Sequence, residues 1–135
     1  MKILIILAST LILTGCFESE DVQIIEGNNI KLGKAIFEEN CMHCHGKEGE
    51  GLIKEWKTRL PNGKFPAPPL NGSAHAWHHS PTVLMNTINN GGAKLGGWMP
   101  AFKDQLSEKQ KQAVLNYIHD LWPQEVQRKY NQRFK

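Results

Sequence analysis

Residues 41–45 read Cys-Met-His-Cys-His. Two thiols flanking two residues and followed at once by an imidazole form the attachment signature of a c-type haem. The spacing has a chemical reason. The sulfurs of Cys41 and Cys44 must reach the two vinyl groups on one side of a porphyrin, while the adjacent His45 must point at the iron. Cys-x-x-Cys alone also suits half of a zinc site or a thiol-disulfide pair. A zinc site needs a second ligand pair, and of the three cysteines only Cys16 is left to supply it. A dithiol enzyme wants a strand-then-helix setting, which is not visible here. The motif therefore predicts one covalently bound haem c, with Cys41 and Cys44 attaching it and His45 on the metal.

A second iron ligand has to come from downstream. Met42 lies inside the attachment loop and cannot reach around, and Met85 falls on the apolar side of a predicted helix, where methionine usually fills core. Met99 stands in Gly-Gly-Trp-Met-Pro-Ala-Phe, residues 96–102. A glycine-rich approach lets backbone fold tightly over a cofactor, and Pro100 stiffens the segment after the ligand. A thioether ligand favours ferrous iron and raises the reduction potential relative to a second histidine. Met99 is the leading candidate, with histidines as the alternative.

His75, His78 and His79 surround Trp77. On a helix their spacing would suit copper or zinc. Ser80-Pro81 marks a helix beginning after them, which favours haem-edge contacts by these imidazoles and Trp77. Trp56, Trp77 and Trp98 are expected as walls of the haem pocket, and Trp122 as helix packing.

The start of the chain bears on where this chemistry happens. Met1-Lys2 is a short positive start, residues 3–13 are almost unbroken apolar sequence, and Leu13-Thr14-Gly15-Cys16 closes the run. The run is too short for a comfortable membrane span. It resembles the signal peptide and lipobox of bacterial lipoproteins, which implies cleavage after residue 15, lipidation of Cys16 and anchoring by acyl chains in the cell envelope, facing the periplasm. Phe17 in place of aspartate leans, by the same resemblance, toward the outer membrane. With Cys16 acylated and the other two cysteines in thioethers, no thiol is left exposed to an oxidising compartment.

Residues 16–29 are polar and acidic and read as a tether. About 120 residues follow the leader, enough for one core. Lys and Arg number 16 against 13 Asp and Glu, with no block dense enough for nucleic acid. Helices are predicted from residue 30 into the motif, from Ser80-Pro81 to Gly91, and from the Ser107-x-x-Gln110 box to Trp122. No alternating strand pattern appears, so the fold class is all-α. Residues 123–135, with Arg128, Lys129, Arg133 and Lys135, read as a basic solubilising tail. The loop 46–66 reads mainly as solvated surface, its lysines suited to steering a negatively charged redox partner.

This order of parts resembles a class I cytochrome c over residues 30–122: a helix leading into Cys-x-x-Cys-His, a proline-leucine loop, a middle helix, a methionine loop and a last helix crossing the first. The resemblance implies the cytochrome c fold, about three main helices around one haem, with Gly33 and Phe37 meeting Tyr117, Ile118 and Leu121 at the crossing. It implies that Met99 is the iron's thioether ligand, that Pro68 accepts a bond from His45, and that Leu70 packs on the haem. Ala67 stands where the family has glycine, which puts the local turn in question. The function so implied is a membrane-anchored carrier of single electrons between a donor and an acceptor protein, not an enzyme by itself. A haem subunit of a larger oxidase or reductase is the alternative, and a sensor or small haem enzyme with displaceable Met99 a more distant one.

Overall fold

Two long helices cross at a glycine, and the other described elements are arranged around that crossing. The computed structural model describes residues 20–134, with side chains from residue 28; the expected leader, residues 1–15, and the expected lipidation site Cys16 lie outside the described residues. Helix α1 (Glu20–Asn40) presents Gly33, Ile36 and Phe37 at helical spacing as a buried stripe. It packs on α4 (Glu108–Asp120), whose Ala113, Val114, Tyr117 and Ile118 form the facing stripe. Phe37 is fully buried and meets Tyr117 edge-on, with ring centroids 5.3 Å apart. A β-carbon at Gly33 would collide with the carbonyl of Ala113, so the close approach requires glycine.

Local sequence sets the helix ends. Ser107 starts α4 through a reciprocal box: Gln110 N–H donates to Ser107 Oγ at 3.3 Å, and Ser107 N–H donates to Gln110 Oε1 at 2.9 Å. Helix α3 (Pro81–Asn90) begins with Ser80 as N-cap and proline in its first turn. It stops at Gly91, whose φ of +76° is glycine territory. Between α1 and α3 lie the single turn α2 (Met42–His45) and a 3₁₀ turn at Ala76–His78. Lys111, 2 % exposed, ties α4 to α3 by donating to Asn89 Oδ1 and pairing with Glu108. All regular elements among the described residues are helical, as the all-α reading requires. None of these helices is long and apolar enough to cross a membrane.

Two expected boundaries are corrected. The acidic tether expected over residues 16–29 is helical from Glu20, ten residues ahead of the predicted start. An acidic composition is compatible with a helix as well as with a tether, since glutamate is a good helix former. The expected basic tail is helix α5 (Gln124–Arg133). Val126, Tyr130 and Phe134 recur every four residues and turn inward, while Arg128, Lys129 and Arg133 remain exposed. Tyr130 packs edge-on against Trp122 at 4.8 Å, and Gln127 Nε2 donates to the Trp122 carbonyl at 2.9 Å.

Candidate haem site

Helix α1 runs directly into the attachment motif. Cys41 N–H donates to Phe37 O at 2.8 Å, and the Cys41 carbonyl then accepts from Cys44 N at 3.1 Å and His45 N at 2.9 Å. This tight turn holds both thiols half-buried and His45 buried, at 8 % exposure. The two cysteines are unbridged. Burial, with Cys44 adding to it, pushes the Cys41 thiol up to about 11, so it is a neutral thiol at physiological pH.

His45 Nδ1 lies 2.9 Å from the carbonyl oxygen of Pro68. A carbonyl only accepts, so Nδ1 carries the proton and Nε2 keeps its lone pair. Burial lowers the pKa of His45 below the ordinary 6.5, opposed by this bond, which leaves a neutral imidazole at neutral pH. Neutral imidazole with one nitrogen engaged and the other available is the form that binds a metal.

The Pro68 carbonyl is placed by two glycines that the sequence reading passed over. Leu70 N donates to Gly49 O at 2.6 Å, Leu52 N to Ala67 O at 3.0 Å, and Gly51 N to His45 O at 2.7 Å. A β-carbon on Gly51, where φ is +88°, would stand 2.8 Å from Pro69 N. The loop after His45 is therefore laid against residues 67–70 and does not float in solvent. The recurrence Gly46, Gly49, Gly51 was the available signal. Ala67 needs no left-handed backbone, because every described residue with positive φ is glycine. Leu70 packs against the core, and its carbonyl accepts from Trp122 Nε1 at 2.7 Å.

Met99 sits in a loop pulled onto the end of α3. Gly92 N donates to Met99 O at 3.0 Å, Gly97 N to Gly92 O at 3.0 Å, and Phe102 N to Ile88 O at 2.9 Å. A β-carbon on Gly91 would come 2.5 Å from Met99 O, and one on Gly92 would come 3.1 Å from Met99 Cβ. The close backbone approach thus falls mainly on Gly91 and Gly92, whereas the sequence pointed to Gly96 and Gly97. Met99 is half-buried against the core, and Trp98 is 39 % exposed at the rim.

The loop 46–66 meets the methionine loop: Phe65 N donates to Gly96 O at 2.9 Å, and the Arg59 guanidinium lies 4.1 Å over the Phe65 ring. Trp56 stacks on His75 at 4.9 Å, His79 meets His75 edge-on at 5.3 Å, and Trp77 lies 3.9 Å from His78. These three imidazoles are exposed, and no group of three or more His, Cys, Asp or Glu among the described residues is arranged to hold a metal ion. Partial desolvation, and then the charges of His79, His78 and Lys57, lower the pKa of His75.

Two thiols and a neutral imidazole with a free nitrogen on one turn make a nitrogen-and-sulfur set. This set fits haem iron and not a hard cation such as calcium or magnesium.

The family described as cytochrome c oxidase, cbb3-type, subunit III, matches residues 28–118. The cbb3-type cytochrome c oxidase subunit CcoP of Rhodobacter capsulatus is 35% identical over 96 residues, covering 66% of this chain and 28% of that protein. Subunit FixP of Bradyrhizobium sp. (strain ORS 278) is 31% identical over 96 residues, covering 71% of this chain and 29% of that protein. The cytochrome c subunit of the quinone alcohol dehydrogenase of Gluconobacter oxydans is 29% identical over 104 residues, covering 72% of this chain and 20% of that subunit. The chain thus spans less than a third of the length of these relatives. No solved structure matches. The family match spans α2, the Pro68 loop, Met99 and most of α4, and on it the chain belongs to the cbb3-type cytochrome c oxidase subunit III family of cytochrome c domains.

Proposed function

We propose that the chain is the electron-carrying domain of a larger oxidase or reductase assembly, holding one haem c through Cys41 and Cys44 with His45 and Met99 as iron ligands. When bound, the haem supplies a one-electron ferric/ferrous couple. The observation that carries the reading is the His45 contact with Pro68 at 2.9 Å inside a Cys-x-x-Cys-His turn. That bond orients the imidazole and raises its donor strength. Met99 supplies the opposing preference for the reduced state. Leu70 and Trp98 contribute apolar wall. His45 and Met99 would together hold the iron and leave it no place for a substrate, so the domain would pass electrons and leave the chemistry to its partner.

The names of the relatives support a subunit over a freely diffusing carrier, since CcoP, FixP and the dehydrogenase protein are all described as subunits. Electrons enter or leave beside Met99, where Leu95 and Trp98 are exposed and the Phe65–Gly96 hydrogen bond joins the loops that carry Lys64 and Lys94, with the Arg59 guanidinium 4.1 Å over the Phe65 ring. Residues 56–65 and 91–102 contain no carboxylate, so this face suits an acidic donor or acceptor. The lipobox-like leader supports attachment to an envelope membrane through Cys16.

The test is the spectrum of oxidised protein made with haem-attachment machinery, wild type beside Met99→Ala, in the near-infrared region of sulfur-to-iron charge transfer. A band lost in the variant supports the ligand pair. Its absence from wild type places a histidine or an open position opposite His45. Isolation from detergent-solubilised membranes completes the test, and recovery as a lone monomer would return the carrier reading to first place.

A further inference from the structure

The family match ends at residue 118, four residues before Trp122 and ahead of all of α5. Yet this C-terminal segment is seated on the loops that hold the Pro68 carbonyl. Trp122, 3 % exposed, donates its indole N–H to Leu70 O at 2.7 Å, two residues beyond Pro68. Leu121 Cδ1 lies 3.2 Å from the position of a β-carbon on Gly49, and Gly49 O is the acceptor that fixes Leu70 N. Pro123 Cδ comes 2.9 Å from the corresponding position on Gly72. Residues 121–123 thus press on Gly49, Leu70 and Gly72 together. Helix α5 locks them there through Tyr130 against the Trp122 ring and Gln127 on the Trp122 carbonyl.

We propose that this C-terminal clamp, with Trp122 at its centre, positions the Pro68 carbonyl on His45 and thereby sets the reduction potential of the site. The inference rests on the reading of His45 as an iron ligand. Leu70 is held from both sides, its N–H by Gly49 and its carbonyl by Trp122, so the backbone of residues 68–70 has little freedom to withdraw from the imidazole. The strength of the Nδ1–H bond governs how much electron density the ring gives the metal. A strong bond stabilises ferric iron, and a loosened one raises the potential. Removing the indole N–H therefore shifts the potential upward. Trp122 is a positioning residue, acting through Leu70 and Pro68.

The test compares haem-loaded wild type with Trp122→Phe, which keeps a ring against Tyr130 and removes the donor, and with Ile36→Val, which loosens the core at the helix crossing away from the clamp. Two quantities are read: the midpoint potential by spectroelectrochemical titration, and the exchange rate of the His45 Nδ1 proton in the reduced protein by NMR. Trp122→Phe raises the potential and speeds the exchange, while Ile36→Val lowers thermal stability and moves neither. An unchanged or lowered potential in Trp122→Phe overturns the proposal, as does an equal shift in Ile36→Val. If Trp122→Phe fails to load haem, Gln127→Ala takes its place and must shift the potential in the same direction by a smaller amount, or the proposal fails. Wild type that takes up no covalent haem refutes the ligand reading itself, whereas loaded protein with an insensitive potential refutes the clamp alone.

Discussion

Gly33 and the Ala113 carbonyl are in direct apposition, so that α1 and α4 cross with backbone against backbone. The void left by the missing side chain is filled by the facing helix, and Tyr117 Cβ is 2.9 Å from the same position. Gly33→Ala gains in helix propensity and loses far more by forcing the helices apart. The net loss is about 3 kcal/mol, read as a lowered urea midpoint. Because Phe37 leads straight to Cys41, the same variant attaches haem less completely when expressed at raised temperature. Stability equal to wild type would mean that the helices do not cross at Gly33.

The methionine loop makes a parallel demand at Gly91. Alanine there must adopt φ near +76° and place its β-carbon 2.5 Å from Met99 O. Backbone strain and the clash together cost about 2 kcal/mol. The specific signature is spectroscopic: Gly91→Ala weakens the Met99-dependent near-infrared band and lets added imidazole bind at lower concentration. Gly63→Ala, whose β-carbon meets nothing within 4 Å, is the companion. It carries the left-handed strain without the clash and leaves the band unchanged.

Those two positions illustrate what could be read from sequence. Local structure was legible where it is written in contiguous residues: the turn at 41–45, Ser80-Pro81, and the Ser107-x-x-Gln110 box all lie where local rules place them. Gly33 was legible as a close helix approach because a mid-helix glycine needs a reason. The roles of Gly49 and Gly51, and the approach of Gly91 to Met99 beyond its legible part as a helix stop, were not, since each is defined by a partner 8 to 21 residues away that no local pattern names. Helix α5 was missed for another reason. Its basic residues dominate the composition, while Val126, Tyr130 and Phe134 occupy one position in four and gain meaning only when Trp122 is there to receive them.

His75 gives the fold a dependence on mild acid. Its folded-state pKa is held below the ordinary 6.5, first by partial desolvation and then by His79, His78 and Lys57. The neutral form is therefore favoured in the folded protein, and the unfolded chain binds the proton more readily. Stability is fully present above pH 6.5 and falls as pH drops through 6.5 toward the folded value. His45 is shifted in the same direction, so the contribution of His75 is isolated by difference. The urea midpoint of wild type declines between pH 7.5 and pH 5.5, and that of His75→Gln declines less. Parallel curves for the two proteins would show that the stack on Trp56 does not disfavour the imidazolium.

The face beside Met99 predicts a salt-dependent encounter. Exposed Lys57, Arg59, Lys64 and Lys94 are carried on two loops that meet at Phe65 and Gly96, the second of which exposes Leu95 and Trp98, and Lys103 beyond them is paired with Asp104 at 4.0 Å. Cations on this face accelerate association with an acidic protein, and the exposed leucine contributes to the docked complex more than to the approach. In stopped-flow electron transfer to a small acidic blue-copper protein, the second-order rate falls as salt rises. Lys64→Glu combined with Lys94→Glu lowers the low-salt rate by about tenfold and flattens the salt dependence. Leu95→Ser weakens the complex while the salt slope stays close to wild type, because it removes contact area and no charge. A rate indifferent to both changes would place the electron-exchange face elsewhere on the domain.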